Sequence, residues 1–336
     1  MPTDPDVTIL RALVTHRGEF VSGNLLAHEL EMSRVGVWAR LEKLRTAGFQ
    51  VAAVRHRGYR LDQEPEGLHE ALLQAYLEVN ETPVPVRALA TVDSTNSEAE
   101  RELANAREAP FVVVAGQQTR GRGRFGRVWF SPPAGNLYAS FAFRPLVPHQ
   151  RIQTITLGLG VTVCNYLAVN YHVPVTIKWP NDLVIDGKKV AGMLTEARID
   201  ADRTRDLVFG IGLNVLGETA NWPDGLGAAT TTLSAHTRHP LRFNQLTAEL
   251  IEVCVDAYET YVQGGVDDRL AELWARYDAL AGEPVQWTRT GGELAAGVGA
   301  GLAPDGALRV KTASGIETLH SAEVSLAKAP PLVPVA

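Results

Sequence analysis

Cysteine is almost missing from this chain of 336 residues. Its two cysteines, Cys164 and Cys254, lie far apart inside apolar stretches. That argues against a disulfide-stapled fold, and both are expected as reduced core thiols. No Cys/His cluster has the spacing of a zinc site, so no metal ligands are assigned. Unbroken apolar runs of about 18 residues are missing too, and no membrane span is expected. The opening "MPTDPDVTIL" has neither a basic n-region nor an apolar h-region, so no signal peptide and a cytoplasmic location are expected. What is present is an ordinary globular balance, 45% hydrophobic and 21% charged, long enough for two or three domains.

Acidic residues are missing from one long stretch. Between Ala109 and Pro180 there is no Asp or Glu, while Arg120, Arg122, Arg124, Arg127, Arg144, Arg151 and Lys178 are all there. A second basic zone runs from Ser33 to Leu61, with seven basic residues against one acid, Glu42. From Asp62 to Glu108 the sign reverses, with eleven acids and three arginines. The net charge of −6 thus conceals two basic zones and implies two separate anionic partners.

The basic zone near the N-terminus sits in a segment of residues 1–65. Residues 5–15 have helical spacing, and "SGNLLAHELEM" follows from a Ser-Gly start. "SRVGVWARLEKLRTAG" begins at Ser33 as an N-cap and stops at a glycine. Val37, Trp38, Leu41 and Leu44 form its apolar stripe, with Arg34, Arg40, Lys43 and Arg45 mostly off it. "FQVAAVRHRGYRL" adds two short strands around Arg-His-Arg-Gly. Helix, turn, helix and basic hairpin is the order of a winged helix-turn-helix. Ser33, Arg34 and Arg40 would then lie on the helix in the major groove, and Arg55, Arg57 and Arg60 on the wing would meet phosphates. A small three-helix domain for protein contacts, with a solvated basic face, is the plainer alternative.

Beyond the polar joint "DQEPEG" comes a mixed α/β segment, residues 66–281. Strands are expected at 87–92, 111–115, 137–143, 175–178, 189–198 and 207–213. Helices are expected at 96–107, 152–169, 243–263 and 266–280. Several strands follow one another directly, which predicts an α+β sheet with antiparallel pairs and not a regular βαβ repeat. Residues 282–330 have short strand-like runs broken by Gly-Gly, Pro-Asp-Gly and Ser-Gly. Asp305-Gly306 marks a hairpin there, and the whole predicts a small SH3-like β-barrel. The tail "KAPPLVPVA" is expected to be disordered.

Residues 121–127, "GRGRFGR", satisfy G-x-G-x-x-G. A dinucleotide site also needs a helix after the loop and an acid about 20 residues on. Here "VWFSPPAGNLY" follows, and the next acid is Asp182. A P-loop needs Lys then Ser or Thr, where this chain has Arg127 and Val128. An Arg-Gly nucleic-acid tail would be longer and lie in low-complexity surroundings. Glycines let a backbone approach a ligand, and guanidinium forks bind phosphate or carboxylate. On the residues alone the loop is an anion-binding lid, mobile until its ligand orders it, or a solvated surface loop.

Three companions share that ambiguity. "DSTNSEA" (93–99) reads as helix capping or as a polar cluster. "KWPND" (178–182) is a surface turn or an anion contact through Lys178. "GIGLNV" (210–215) is a tightly packed strand or a place where backbone amides meet a ligand.

Taken together, "DSTN", "QTRGRGRFGRVWFSP", "GNLY", "KWPNDL", "KKVAGML" and "GIGLNV", in this order and spacing, resemble the biotin protein ligases. With a winged helix-turn-helix in front and a small barrel behind, the chain resembles their bifunctional form, which also represses the biotin operon. The resemblance covers nearly the whole chain. It implies ATP-dependent biotinylation of a lysine on a biotin carboxyl carrier protein through biotinyl-5′-AMP. It implies biotin, ATP and magnesium as ligands, and a homodimer on operator DNA when the adenylate is bound. It places Ser94, Thr95, Asn96 and Gln118 on the biotin head group, with Gly123 and the flanking Arg122 and Arg124 over carboxylate and phosphates. Lys178 would bridge carboxylate and α-phosphate, and Lys178 and Arg122 would be catalytic. Gly210 and Gly212 would let the ligand lie against the strand. Trp129, Asn181 and Asn214 would serve the nucleotide. Arg120 departs from the family, which commonly has a small residue there. Thr230 stands where some repressor-type members stack a Trp on the adenine, and Trp222 lies several residues earlier. A ligand-sensing transcription factor with an inactive ligase domain is one alternative, opposed by the intact Arg122, Arg124, Lys178 and Asn214. A lipoate-ligase relative is another, though it normally lacks "GRGRxGR" followed by "KWPND".

Overall fold

A computed structural model describes residues 4–326, apart from 83, 134, 221, 224, 264–267, 290–291 and 321–323. The tail at 328–336 and the predicted helix start at Val266 lie outside the described residues. The chain forms two compact units. One comprises Met1–Arg122, Val128–Ala142 and Pro240–Glu252, the other Gly123–Arg127, Phe143–His239 and Val253–Ala336.

In the first unit, helix α1 (Pro5–Thr15) starts where the Asp4 carboxylate accepts the Asp6 amide at 2.9 Å. Ser22 caps α2 (Gly23–Glu29), and Ser33 caps α3 (Arg34–Thr46) by accepting the Gly36 amide at 3.1 Å. Strands β1 (Gln50–Val54) and β2 (Gly58–Gln63) pair antiparallel as the wing. Ile9, Leu10, Leu13, Leu26, Val37, Leu41 and Leu44 are buried in this segment. Trp38 corrects the predicted stripe, because it is 52% exposed. Val37, Leu41 and Leu44 already fill the packed face at i, i+4 and i+7, and the next residue along points about 100° away from it.

Helix α4 (Glu70–Val79) packs on α1, and Arg17 in the turn after α1 is held by Glu64 and Tyr76. Asn244 fixes the polar joint: its Oδ1 accepts the His69 amide at 2.9 Å and its Nδ2 donates to Gly67 O at 3.0 Å. Strand β3 (Val86–Leu89) runs parallel to β4 (Phe111–Ala115), which pairs antiparallel with β5 (Asn136–Phe143). Helix α5 (Thr95–Ala104) packs on β4. Both β4 and β5 are buried along their lengths, which is why they read as unbroken apolar runs and not as alternation.

The second unit opens with β6 (Val147–Pro148) and α6 (Arg151–Tyr171). By length and composition α6 could cross a membrane. Leu159, Val161, Val163, Cys164 and Leu167 of α6 are all buried in the fold. Strands β7 (Thr176–Lys178), β8 (Asp182–Ile185), β9 (Lys188–Asp200) and β10 (Arg203–Asn214) pair antiparallel in that order, and β6 pairs with β10. Strand β8 was not expected: four residues behind a proline turn are too few for a periodic signal. Helix α7 (Leu226–Ala229) is a single turn. The later turns of α8 (Phe243–Gln263) and all of α9 (Asp268–Tyr277) follow.

A second antiparallel sheet has the order β14-β13-β12-β11-β15. Its strands are β11 (Pro284–Thr288), β12 (Leu294–Leu302), β13 (Leu308–Thr312), β14 (Gly315–Leu319) and β15 (Val324–Leu326). The β12–β13 hairpin turns at Asp305-Gly306 as expected, with Gly306 at φ 86°. Among the described residues no ladder between β14 and β15 closes this sheet. The architecture is α+β, and both cysteines are buried and free.

Candidate active site

The first unit gathers a cluster of uncharged polar side chains at the start of α5. Ser94, Thr95, Asn96, Ser131 and Ser140 are all buried. Gln118 Oε1 accepts from the Thr95 amide at 2.8 Å and from Thr95 Oγ1 at 3.2 Å. Gln118 Nε2 donates to Ser131 Oγ at 2.9 Å, and Ser131 Oγ donates to Trp129 O at 3.0 Å. Ser140 Oγ lies 2.8 Å from Thr95 Oγ1 and 2.6 Å from Asn96 Oδ1, so its single proton can serve one of the two. The cluster offers donors and acceptors without net charge, which suits a neutral, hydrogen-bonding ring. Asp93 is not free for a ligand. Its carboxylate takes two bonds from Arg101, at 2.7 and 2.9 Å, and these hold it well below the usual carboxylate range.

Ser94, Thr95, Asn96 and Gln118 are thus brought together as the motif suggested, and Ser131 and Ser140 join them. Ser140 was missed, although it is the one serine in the apolar run "LYASFAF". That it faces Thr95 depends on strand pairing, which no local pattern reveals.

The glycine-arginine loop is a hydrogen-bonded hairpin. In the first unit, Trp129 N donates to Gly121 O at 2.9 Å, and Arg122 bridges Val128. A Cβ on Gly121 would lie 2.5 Å from Trp129 O and 2.6 Å from Ser131 Oγ, so only glycine fits. Exposed Arg122 reaches Glu100 on α5 at 3.4 Å. In the second unit, Gly123 N donates to Arg127 O at 2.8 Å, and Phe125 takes a left-handed φ of 56° to close the tip. A Cβ on Gly123 would meet nothing closer than Arg127 O at 3.5 Å. Packing therefore does not demand glycine at 123.

Arg124 and Lys178 are two half-buried cations of the second unit. Arg124 stands over the Phe125 ring at 4.8 Å and donates to Asn181 Oδ1 at 3.5 Å. Burial pushes its guanidinium below the ordinary value, Asp182 pulls it back up, and Arg127 adds to the depression. Burial likewise lowers Lys178, against Asp182 and with Lys189. Lys178 ends β7, directly across from Asp182 on β8. Asp182, however, is held by Lys189 at 2.6 Å. Among the described residues neither Arg124 nor Lys178 has an ion-pair partner.

The rest of "KWPND" divides its labour. The Trp179–Pro180 bond is cis, and Trp179 is buried with its indole donating to Gly306 O at 3.1 Å. It anchors the turn. Asn181 donates to Met193 O, and its own carbonyl accepts Met193 N at 2.9 Å. With Nδ2 so engaged, its remaining side-chain atom orients Arg124. Strand register sets Gly212 across from Gly192, Gly192 across from Asp182, and Asp182 across from Lys178. Residues directly opposite share a face, so two glycines leave a trough on the face that carries the lysine. Gly192 lay unremarked within "KKVAGML". Gly210 opposes Leu194 two pairs along. Asn214 is buried; its Nδ2 donates to Thr231 O at 3.2 Å, while its Oδ1 has no hydrogen-bond partner. Thr230 bonds Leu226 O at 2.7 Å and is buried, so it offers no platform like an indole.

In the reader segment, Arg34, Arg55 and Arg57 are exposed. Arg57 and Arg60 stand over the Phe20 ring at 4.3 and 4.8 Å. Arg40 is drawn to the buried Asp6 at 3.3 Å, beside Lys43 at 2.7 Å.

Comparison with known proteins decides the family. The model of the biotin/lipoate A/B protein ligase family matches residues 88–214, a helix-turn-helix domain matches 8–60, and the biotin protein ligase C-terminal domain matches 281–327. The bifunctional ligase/repressor BirA of Bacillus spizizenii is 33% identical over 92% of this chain and 94% of its own. The chain belongs to the biotin protein ligases. The BirA of Bacillus subtilis is 34% identical over the same shares. The structure of biotin protein ligase from Aquifex aeolicus in complex with biotin and ATP matches with TM-score 0.59 and 27% identity, over 72% of this chain and 99% of that one. This biotin protein ligase thus has the helix-turn-helix in front, the mixed ligase segment and the β-rich C-terminal segment that its sequence suggested.

Proposed function

We propose that this chain joins biotin to a lysine of a biotin carboxyl carrier protein, and that its adenylate-loaded form represses transcription. In the first step an oxygen of the biotin carboxylate attacks the α-phosphorus of ATP. The bond to the β-phosphate breaks, giving biotinyl-5′-AMP and pyrophosphate. In the second the acceptor amine attacks the acyl carbon, AMP leaves, and the amine loses its proton. No enzyme nucleophile is needed, and burial pushes the thiols of Cys164 and Cys254 far up from their ordinary value.

The observation that carries this reading is the pair of half-buried, unpaired cations, Arg124 and Lys178. Two anions must meet for the first step, and cations fixed in advance screen their repulsion and the charge that develops at phosphorus. Lys178 bridges carboxylate and α-phosphate, and Arg122 and Arg124 serve the phosphates. Gly123, Gly210 and Gly212 let the ligand lie close to the backbone. Ser94, Thr95, Asn96 and Gln118 pair with the ureido ring of biotin. The free Oδ1 of Asn214 suits the exocyclic amine of adenine, Trp129 walls the nucleotide, and Asn181 acts on it through Arg124. Among the described residues no group of three His, Cys, Asp or Glu could hold a metal. Magnesium would arrive with the triphosphate and shield its charge.

Residues 1–65 form the DNA reader, 66–281 the ligase domain and 282–330 the SH3-like C-terminal domain. Ser33, Arg34, Arg40, Arg55 and Arg57 serve operator DNA, bound by an adenylate-loaded homodimer in the cytoplasm. The test mixes the protein with ATP, magnesium, radiolabelled biotin and a carrier domain. Label should pass to the carrier, and pyrophosphate exchange should depend on biotin. If neither occurs, the ligase reading is wrong.

A further inference from the structure

We propose that Val35 and Trp38 read base identity in the DNA major groove through contact with thymine methyl groups. This rests on the DNA-binding reading above. Val35 is 73% exposed and Trp38 52% exposed, and they stand at i and i+3 on one face of α3. Both lie in its first two turns, the part of a reader helix that reaches base edges.

Most of the polar side chains on this helix already have partners within the chain. It contains no Asn or Gln. Its one acid, Glu42, is bound by Arg45. Arg40 and Lys43 are drawn back to Asp6, and Arg45 donates to Val51 O at 3.1 Å. Arg34 remains, and with Arg55 and Arg57 on the wing it suits phosphates, which position a protein without reading sequence. Apart from Arg34, the large exposed side chains in the first two turns are apolar. In the major groove the apolar mark that distinguishes one base is the C5-methyl of thymine. A second copy of the chain is a poorer occupant, because self-pairing would bring Arg34 and its surrounding cations together.

The test uses the full chain with biotin, ATP and magnesium. It selects duplexes from a random pool, then remakes the best one with deoxyuridine in place of thymidine at single positions. Wild type should lose about fourfold in affinity at each contacted position, the worth of one buried methyl. Val35→Ala and Trp38→Ala should each lose that sensitivity at a position of their own. Both should keep the wild-type salt slope, set by phosphate contacts, and wild-type pyrophosphate exchange. Trp38→Phe should retain part of the discrimination, which guards against a loss caused by unfolding. Wild-type indifference to uracil overturns the proposal while leaving DNA binding intact. So does Trp38→Ala abolishing self-association in sedimentation, which would make the patch a protein interface. A wild type that selects no duplex removes the DNA-binding reading, and this proposal with it.

Discussion

Replacing Gly121 and Gly123 by alanine, one at a time, separates two reasons for glycine in one loop. At Gly121 the new Cβ would sit 2.5 Å from Trp129 O, 2.6 Å from Ser131 Oγ and 2.9 Å from Gln118 Nε2. Something must move, and the bond from Gln118 to Ser131 is in the way. Overpacking of this kind costs about 1–3 kcal/mol, a drop of several degrees in Tm. At Gly123 the nearest atom is 3.5 Å away, and a φ of −122° suits any residue. Alanine there should leave the fold about 0.4–1 kcal/mol more stable, because the unfolded chain loses freedom. The same methyl would stand where the ligand approaches the backbone. A clash of only about 1.4 kcal/mol with the reacting groups lowers the rate tenfold. Gly123→Ala should therefore melt at or above wild type while biotin-dependent pyrophosphate exchange falls at least about tenfold. Thermal unfolding and exchange, measured on the same preparations, check both halves. Unimpaired exchange in Gly123→Ala would refute close approach at that residue. A wild-type Tm for Gly121→Ala would refute the packing argument.

Lys178 makes a prediction about pH. Its lowered value means that the ammonium costs stability below that value, a cost relieved as pH rises through it toward the ordinary lysine range. Lys178→Met should thus match or exceed wild-type Tm at neutral pH while exchange is lost. Wild-type kcat/KM should fall with rising pH on a limb below the ordinary lysine value, and a profile flat to about pH 10.4 would contradict the role. Asn214→Ala removes the donor to Thr231 O as well as the unpaired Oδ1, so it should cost about 1–3 kcal/mol and raise KM for ATP. Biotin binding should be unchanged, and an unaltered KM for ATP would exclude the adenine contact.

Much of the fold was legible because its signals are local. Ser22, Ser33 and the glycine after α3 mark helix ends, and β4, β5 and α8 are long enough for their patterns to hold. The misses are non-local. Trp38 fitted a helical stripe, but the packed face was already full. Trp179 sat among motif residues, yet its indole is committed to Gly306, far along the chain. Ser140 and Gly192 take their places from strand register, which a one-residue slip would undo. The ligand's chemistry divided in the same way. Charge and glycine spacing reached an anion-binding loop, and only the family motifs named biotin and the adenylate.

The acid-free stretch from Ala109 to Pro180 now has a physical reading. An anion-binding cation is useful if it is desolvated and held, and useless if a carboxylate has already claimed it. No acid within the stretch can neutralise Arg124 or Lys178, and Asp182, the first to follow, is engaged by Lys189 at 2.6 Å. That pairing decides which lysine stays available, since Asp182 is Lys178's own cross-strand neighbour. Asn181, fastened to Met193 on β9, meanwhile orients Arg124 with a neutral oxygen and leaves its charge unspent. The free enzyme thus carries the desolvation of two cations as a standing cost. On the proposed reading, phosphate and carboxylate would recover it on binding, with little side-chain rearrangement left for the reaction itself.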